Sequence, residues 1–174
     1  MTSTRVRGPL AWIALAVVPA ACGGQEGPAA PVRATTECTI TRIVDGDTLI
    51  CEPVGRVRLV GIDTPERAQE PFGDRATEAL EAMIPEGGVV QLEPDAEDRD
   101  QFDRALRYVW VEGRMLNWVL VRAGYAVLLT YPPNVQYVDL LRAAQSAAQD
   151  EGAGLWAVDG FACPPQEYRR GDCR

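Results

Sequence analysis

Two acidic clusters, "VDGDT" at 44–48 and "IDTPE" at 62–66, hold the residue types best suited to chemistry in this chain. The first sets Asp45 and Asp47 around a glycine between β-branched runs; the second sets Asp63 and Glu66 around Thr64 and Pro65. Carboxylates that converge repel one another unless a cation or a proton is shared between them. An oxygen-only donor set suits a hard ion such as Ca²⁺, with water and substrate completing about six to eight positions. Arg58 precedes the second cluster, and Arg104 follows in a D-x-x-x-R setting that starts at Asp100. Guanidinium forks match the paired oxygens of a phosphate. With no histidine in the chain, imidazole-metal and imidazole-base chemistry are excluded, and a carboxylate such as Glu66 is left to activate water.

Other readings of "DGDT" fare worse. A calcium EF-hand loop needs Gly at its sixth position and an acid at its twelfth; counted from Asp45 these are Ile50 and Arg56. The aspartyl-phosphate loop of haloacid-dehalogenase-like phosphatases places its threonine one residue later. It also leads into βα repeats and usually employs a downstream lysine, whereas here Thr48 runs straight into another strand and the chain has no lysine. As a local feature the stretch is a hairpin turn, with Asp45 a turn residue. Asp100 either supports Arg104 or binds the ion, and much of "EPDAEDRD" reads as a solvated loop.

The elements that must position these residues are strands first and helices second. "CTITRIV", "TLICE" and "RVRLVGI" form three consecutive antiparallel candidates around a D-G turn, a β-meander. In a meander the end of strand three folds back beside the start of strand two, which brings Asp63 near Asp47. "PFGDRATEALEAMI" then spaces Phe72, Ala76, Ala79, Leu80, Met83 and Ile84 as one helical face, with Pro71 at its start. "GGVVQLEP" and "RALRYVWVEG" are two further strands. "MLNWVLVRAG" is a helix closed by Gly124, and "VDLLRAAQSAAQDEGAGLW" is an Ala-rich helix with Leu140, Leu141, Ala144 and Ala148 on one face. The expected fold is α+β, dominated by a small five-stranded barrel with about three packed helices.

The order "VDGDT", "RLVGIDTPE", "DRDQFDRALRYVWVEGRMLNWVLVRAGYA" and a distal Trp resembles the staphylococcal nuclease (thermonuclease) family, over Thr39 to Trp156. The resemblance implies an OB-type barrel and a Ca²⁺-dependent phosphodiesterase site acting on DNA or RNA. It makes Asp47 and Asp63 carboxylate ligands of the ion, with the Thr64 backbone carbonyl beside them. Glu66 takes the place of the general base. Arg58 and Arg104 take the places of the two arginines that grip the scissile phosphate, and the products carry a 3′-phosphate. "LLTYPPN" keeps one tyrosine, Tyr131, where a related member offers two, and its roles as a base-stacking or phosphate-binding residue and as packing stand level. Gln101 and Phe102 replace a Lys and a Tyr of the best-known members, so a basic contact and a phenol are missing beside Arg104. A catalytically silent barrel that only binds nucleic acid or an envelope partner is the competing reading. Retention of Asp47, Arg58, Asp63, Glu66 and Arg104 together argues for the enzyme, since a binding module has no reason to keep acids in an anion-binding cleft.

The ends of the chain speak of export. "MTSTRVR", "LAWIALAVV" and "PAAC" read as the basic, apolar and small-residue regions of a signal peptide at 1–21. Cys22 sits where a lipoprotein signal carries its lipid-modified cysteine, although Pro19 replaces the usual aliphatic residue. The expected location is the cell envelope, by a lipid anchor on the membrane, or the medium. Residues 22–36 read as a flexible tether, 37–158 as the nuclease-like domain, acting as a monomer, and 159–174 as a tail. Setting Cys22 aside leaves Cys38, Cys51, Cys163 and Cys173, an even number that suits an oxidising compartment. Cys38 and Cys51 flank the opening hairpin and the other two share the tail, so Cys38–Cys51 and Cys163–Cys173 is the favoured pairing of three possible connectivities. A zinc site is disfavoured by the lack of C-x-x-C spacing and of histidine.

The net charge of −8 falls to about −10 once Arg5 and Arg7 leave with the signal. An acidic surface disfavours nonspecific binding of a polyanion through the whole-molecule field, so the arginines must hold such a substrate locally.

Overall fold

The computed structural model describes residues 26–84 and 87–173. The signal segment and Cys22 lie outside the described residues. The meander is present: β1 (Thr36–Asp45) pairs antiparallel with β2 (Thr48–Glu52), and β2 with β3 (Gly55–Leu59). β1 also pairs antiparallel with β5 (Val89–Arg99), and β5 with β6 (Ala105–Val111). A parallel pairing of β3 with β6, Val57 with Ala105 and Leu59 with Arg107, closes the five strands into a barrel. Closure leaves no free edge among these strands.

Alternation along the strands fills the interior. Leu49, Val57, Leu59, Val90, Leu92 and Val109 are fully buried, which is the apolar transfer that drives closure. Cys38 and Cys51 are buried in the same core and joined as a disulfide; Cys163 and Cys173 form the second. α1 (Phe72–Met83) buries Ala76 and Leu80, α2 (Leu116–Arg122) buries Leu116 and Leu120, and α3 (Val138–Asp150) buries Leu141, Ala144 and Ala148. Asn117 on α2 is a polar clamp inside this core. Its Oδ1 accepts the Val109 N–H and its Nδ2 donates to the Val60 carbonyl, both at 2.9 Å.

Four features depart from expectation. The third strand stops at Leu59; the chain turns through Gly61, whose φ of +81° is the left-handed region that glycine tolerates, and Ile62–Asp63 becomes β4. β4 pairs antiparallel with β8 (Val127–Leu128), the short β7 (Arg114–Met115) lying between β6 and α2. The acidic stretch after Leu92 continues as strand to Arg99, and Glu93 and Asp95 are buried. Glu93 is tolerated there because Trp110 Nε1, the Tyr137 hydroxyl, Gln136 Nε2 and the N–H groups of Val32 and Arg33 all donate to it. Val32 and Arg33, in the stretch read as tether, are thereby docked on the barrel. α3 ends at Asp150 rather than running to Trp156, and a 3-10 turn, Gly154–Val158, follows. The tail forms a short helix, α4 (Pro165–Arg170). Among the described residues no helix is long and apolar enough to cross a membrane.

Candidate active site

The β1–β2 turn and the β3–β4 corner meet because the register demands it. Asp45 pairs with Thr48, leaving Gly46 and Asp47 as the turn, and Thr48 pairs with Arg58. The Leu59 N–H then donates to the Asp47 carbonyl at 2.8 Å. Gly46 is required here by space: a Cβ on it would lie 2.9 Å from both Thr64 Oγ1 and the Ala76 Cβ. On the other side, β8 holds Asp63 opposite Val127.

Asp47 and Asp63 converge on one guanidinium. Arg58 Nη2 lies 3.0 Å from Asp47 Oδ2 and 3.0 Å from Asp63 Oδ1, while Nη1 donates to the Leu59 carbonyl at 2.7 Å. All three side chains are buried, Asp63 to 1% exposure. Thr64 donates its N–H at 2.9 Å and its hydroxyl at 3.0 Å to Asp47 Oδ2, and the Thr48 hydroxyl donates to Oδ1. Glu66, at the mouth of the site, anchors its N–H on Gln69 Oε1 at 2.9 Å.

Asp47, Arg58, Thr64 and Glu66 line a cleft of about 770 Å³ together with Asp45, Arg104 and Tyr131, and Asp63 is buried behind its wall. The parallel β3–β6 pairing puts Arg104, one residue before Ala105, next to Arg58's strand. Arg104 is held by Asp100, whose Oδ2 accepts Nε and Nη2 at 2.7 Å. Of the two roles weighed for Asp100, the geometry gives it support of the arginine. Tyr131 is exposed, its hydroxyl 3.4 Å from Gln166 Nε2. Asp47, Arg58, Asp63 and Thr64 thus form one bonded network, whereas Arg104 and Tyr131 share the cleft without bonding to it.

The charge of the site can be read from its carboxyls. Burial pushes Asp63 above the ordinary carboxylate range, with the Arg169 and Arg58 guanidinia opposing the shift and the charge of Asp47 adding to it. Asp45 is pushed up to about 6, first by burial and then by the charge of Asp47. The all-oxygen donor set fits a hard cation. Among the described residues no group of three or more His, Cys, Asp and Glu is arranged to hold a metal ion. A cation here would be held by Asp47 and Asp63, with carbonyl, water and substrate oxygens completing its coordination.

Two residues of the site escaped the sequence. Arg169, from α4, forks onto Asp63 with Nη2 at 2.7 Å from Oδ2 and Nη1 at 3.1 Å from Oδ1, and Nη1 also reaches Glu66 Oε1 at 2.6 Å. Gln69, besides holding Glu66, donates Nε2 to the Cys163 carbonyl at 2.9 Å. The only sequence signal for Arg169 is an arginine cluster, "YRRGDCR", in a disulfide-closed tail of an acidic chain.

The sequence matches the family described as staphylococcal nuclease homologue over residues 56–158. It is 37% identical over 125 residues to the thermonuclease of Staphylococcus intermedius, covering 67% of this chain and 74% of that protein. Over 133 residues it is 32% identical to endonuclease YncB of Bacillus subtilis (strain 168), covering 71% of this chain and 63% of that protein. Protein ParB of Escherichia coli is 34% identical over 154 residues, 82% of this chain and 84% of that protein.

Proposed function

Because the chain belongs to the staphylococcal nuclease homologue family, we propose that it is a Ca²⁺-dependent nuclease that hydrolyses DNA or RNA to leave 3′-phosphate ends. That it is a nuclease, and so a hydrolase of phosphodiester bonds, follows from kinship with thermonuclease and endonuclease relatives. The metal, the products and the residue roles are the proposal. The observation that carries it is the convergence of Asp47 Oδ2 and Asp63 Oδ1 on the single Nη2 of Arg58, at a cleft lined by Asp47, Arg58, Glu66 and Arg104.

A phosphodiester is an anion, so attack by hydroxide has to overcome repulsion in the ground state and extra charge in the five-coordinate transition state. When bound, the cation supplies positive charge to the phosphoryl oxygens. Asp47, Asp63 and the Thr64 carbonyl are its ligands in this reading. Glu66 takes a proton from the attacking water, whose oxygen bonds to phosphorus as the bond to the 5′ oxygen breaks; the 5′ oxygen leaves with the electron pair and takes a proton from solvent water. Arg104, pre-oriented by Asp100, presents guanidinium donors to the phosphate oxygens, and Arg58 does the same from the cleft floor. Tyr131, exposed on the rim, stacks on a base or donates to phosphate in this reading. The two disulfides are consistent with export, and lipid attachment at Cys22 would keep the protein on the envelope.

Digestion of DNA and RNA by the mature protein in Ca²⁺, repeated with a chelator and with Glu66→Gln, tests the reading. Loss of cleavage in both controls is expected. Cleavage that persists after chelation would overturn the metal assignment, and nucleic-acid binding without cleavage by the unaltered protein would make it a silent module. Mass spectrometry of the mature N-terminus tests the lipid on Cys22.

A further inference from the structure

Arg169 lies beyond the span matched to the family, which ends at residue 158, yet its guanidinium sits on the two acids proposed to do the chemistry. Its placement is built by three contacts that span the cleft mouth. Gln69 Nε2 donates to the Cys163 carbonyl at 2.9 Å, the Tyr168 hydroxyl donates to the Ala68 carbonyl at 3.2 Å, and Gln166 Nε2 lies 3.4 Å from the Tyr131 hydroxyl. The Cys163–Cys173 disulfide closes the segment into a ring with Cα atoms 5.7 Å apart, so α4 is presented as a unit.

The fork occupies both oxygens of Asp63, and Arg58 occupies Oδ1 as well. A divalent ion added to this carboxylate would face two guanidinia within a few ångströms, a repulsion that a buried site screens weakly. The arginine held less firmly is the one to give way. Arg58 is buried, tied to Asp47 and to the Leu59 carbonyl, whereas the Arg169 side chain is 41% exposed on a small ring and can regain water. Leaving Asp63 costs Arg169 only part of its hold, because Glu66 Oε1 remains within reach.

We propose that Arg169 is a positioning residue of the hydrolytic site: it holds the carboxylates of Asp63 and Glu66 in the cation-free protein and yields Asp63 when a divalent cation binds, so that the tail sets the site's cation affinity. The proposal rests on the Ca²⁺ reading above. Calorimetric titration of the folded, disulfide-intact protein with CaCl₂, without nucleic acid, compares the unaltered chain with Arg169→Gln and Arg169→Lys. Arg169→Gln is expected to bind Ca²⁺ about tenfold more tightly, the worth of one partly exposed charge-assisted contact, and Arg169→Lys to fall between. A structural prop would show the opposite, since its loss loosens the ligands. Equal or weaker binding by Arg169→Gln overturns the proposal while leaving the Ca²⁺ reading intact. Absence of Ca²⁺ binding in every protein overturns the Ca²⁺ reading and the proposal with it.

Discussion

Asp100 grips Arg104 at both ends: Oδ1 accepts the Arg104 backbone N–H at 3.0 Å, and Oδ2 accepts Nε and Nη2 at 2.7 Å. One carboxylate therefore fixes both the loop and the guanidinium that it delivers to the cleft. Asp100→Asn keeps the shape and removes the charge, and is expected to lower kcat/KM by about tenfold, the scale of one charge-assisted hydrogen bond. Thermal stability should change little, because Asn keeps an oxygen to accept the Arg104 backbone N–H and a partly exposed ion pair contributes little. Steady-state cleavage of a short oligonucleotide checks this, and an unchanged kcat/KM would remove Arg104 from the reaction or Asp100 from its support.

The same carboxylate carries a pH signature. Burial pushes Asp100 up, but the Arg104 N–H, the Arg104 guanidinium and the Phe102 N–H outweigh it and hold the carboxyl below its ordinary 3.8. A depressed folded-state pKa contributes stability that is present above the unfolded value and lost as pH falls through the folded one. The small stability difference between the unaltered protein and Asp100→Asn should therefore be full at neutral pH and shrink below pH 3.8. Urea midpoints measured across that range read it. A difference that grew on acidification would contradict the assignment.

Gly46 tests the packing beneath the acids. Its added Cβ would crowd Thr64 Oγ1 and the Ala76 Cβ at 2.9 Å, and Thr64 is the residue that donates twice to Asp47. Gly46→Ala is expected to cost about 1–3 kcal/mol, the usual scale of overpacking, and to reduce cleavage beyond that loss because Asp47 shifts relative to Asp63. Denaturation and activity are measured together on the purified variant. Wild-type activity would mean that the turn relaxes without moving Asp47.

Glu93 tests the far side of the barrel. It is fully buried and accepts from Trp110 Nε1 at 2.9 Å and from the Tyr137 hydroxyl at 3.1 Å. Glu93→Ala strands these donors and frees Val32 and Arg33, so a loss of about 3 kcal/mol is expected. Calorimetry reads it as a lowered Tm. Cleavage well below the new Tm should persist, since Glu93 does not line the cleft.

How much of this was legible in the sequence depended on range. The meander was, because β-branched alternation and a D-G turn are local signals, and with it came the approach of Asp63 to Asp47. The parallel β3–β6 closure left no local trace, since it joins Val57 to Ala105 across the whole barrel. Glu93 and Asp95 misled for a physical reason: acids are rarely buried, and it takes donors brought in from distant residues, among them Trp110, Tyr108, Gln136 and Tyr137, to make it tolerable. Arg169 was illegible because its partners are 103 and 106 residues away and its place depends on a disulfide ring.

Arg58 gives the sharpest test of the site's charge. Its Nη2 separates Asp47 from Asp63 at 3.0 Å on each side, and it is itself buried. Removing one partner of a buried ion pair leaves the other charges uncompensated and typically costs about 3–5 kcal/mol. Arg58→Ala should therefore destabilise the protein in chelator by about that amount, with Asp47 losing its guanidinium and Asp63 keeping only Arg169. A ligand that binds the folded state alone raises stability with the logarithm of its concentration over Kd, and removing one positive charge beside the two acids favours a cation there. Ca²⁺ should then raise the Tm of Arg58→Ala by more than it raises that of the unaltered protein, while cleavage stays low for want of the guanidinium. Scanning calorimetry of both proteins with Ca²⁺ and with chelator decides the matter. An equal Ca²⁺ shift in the two would mean that Asp47 and Asp63 do not share a cation.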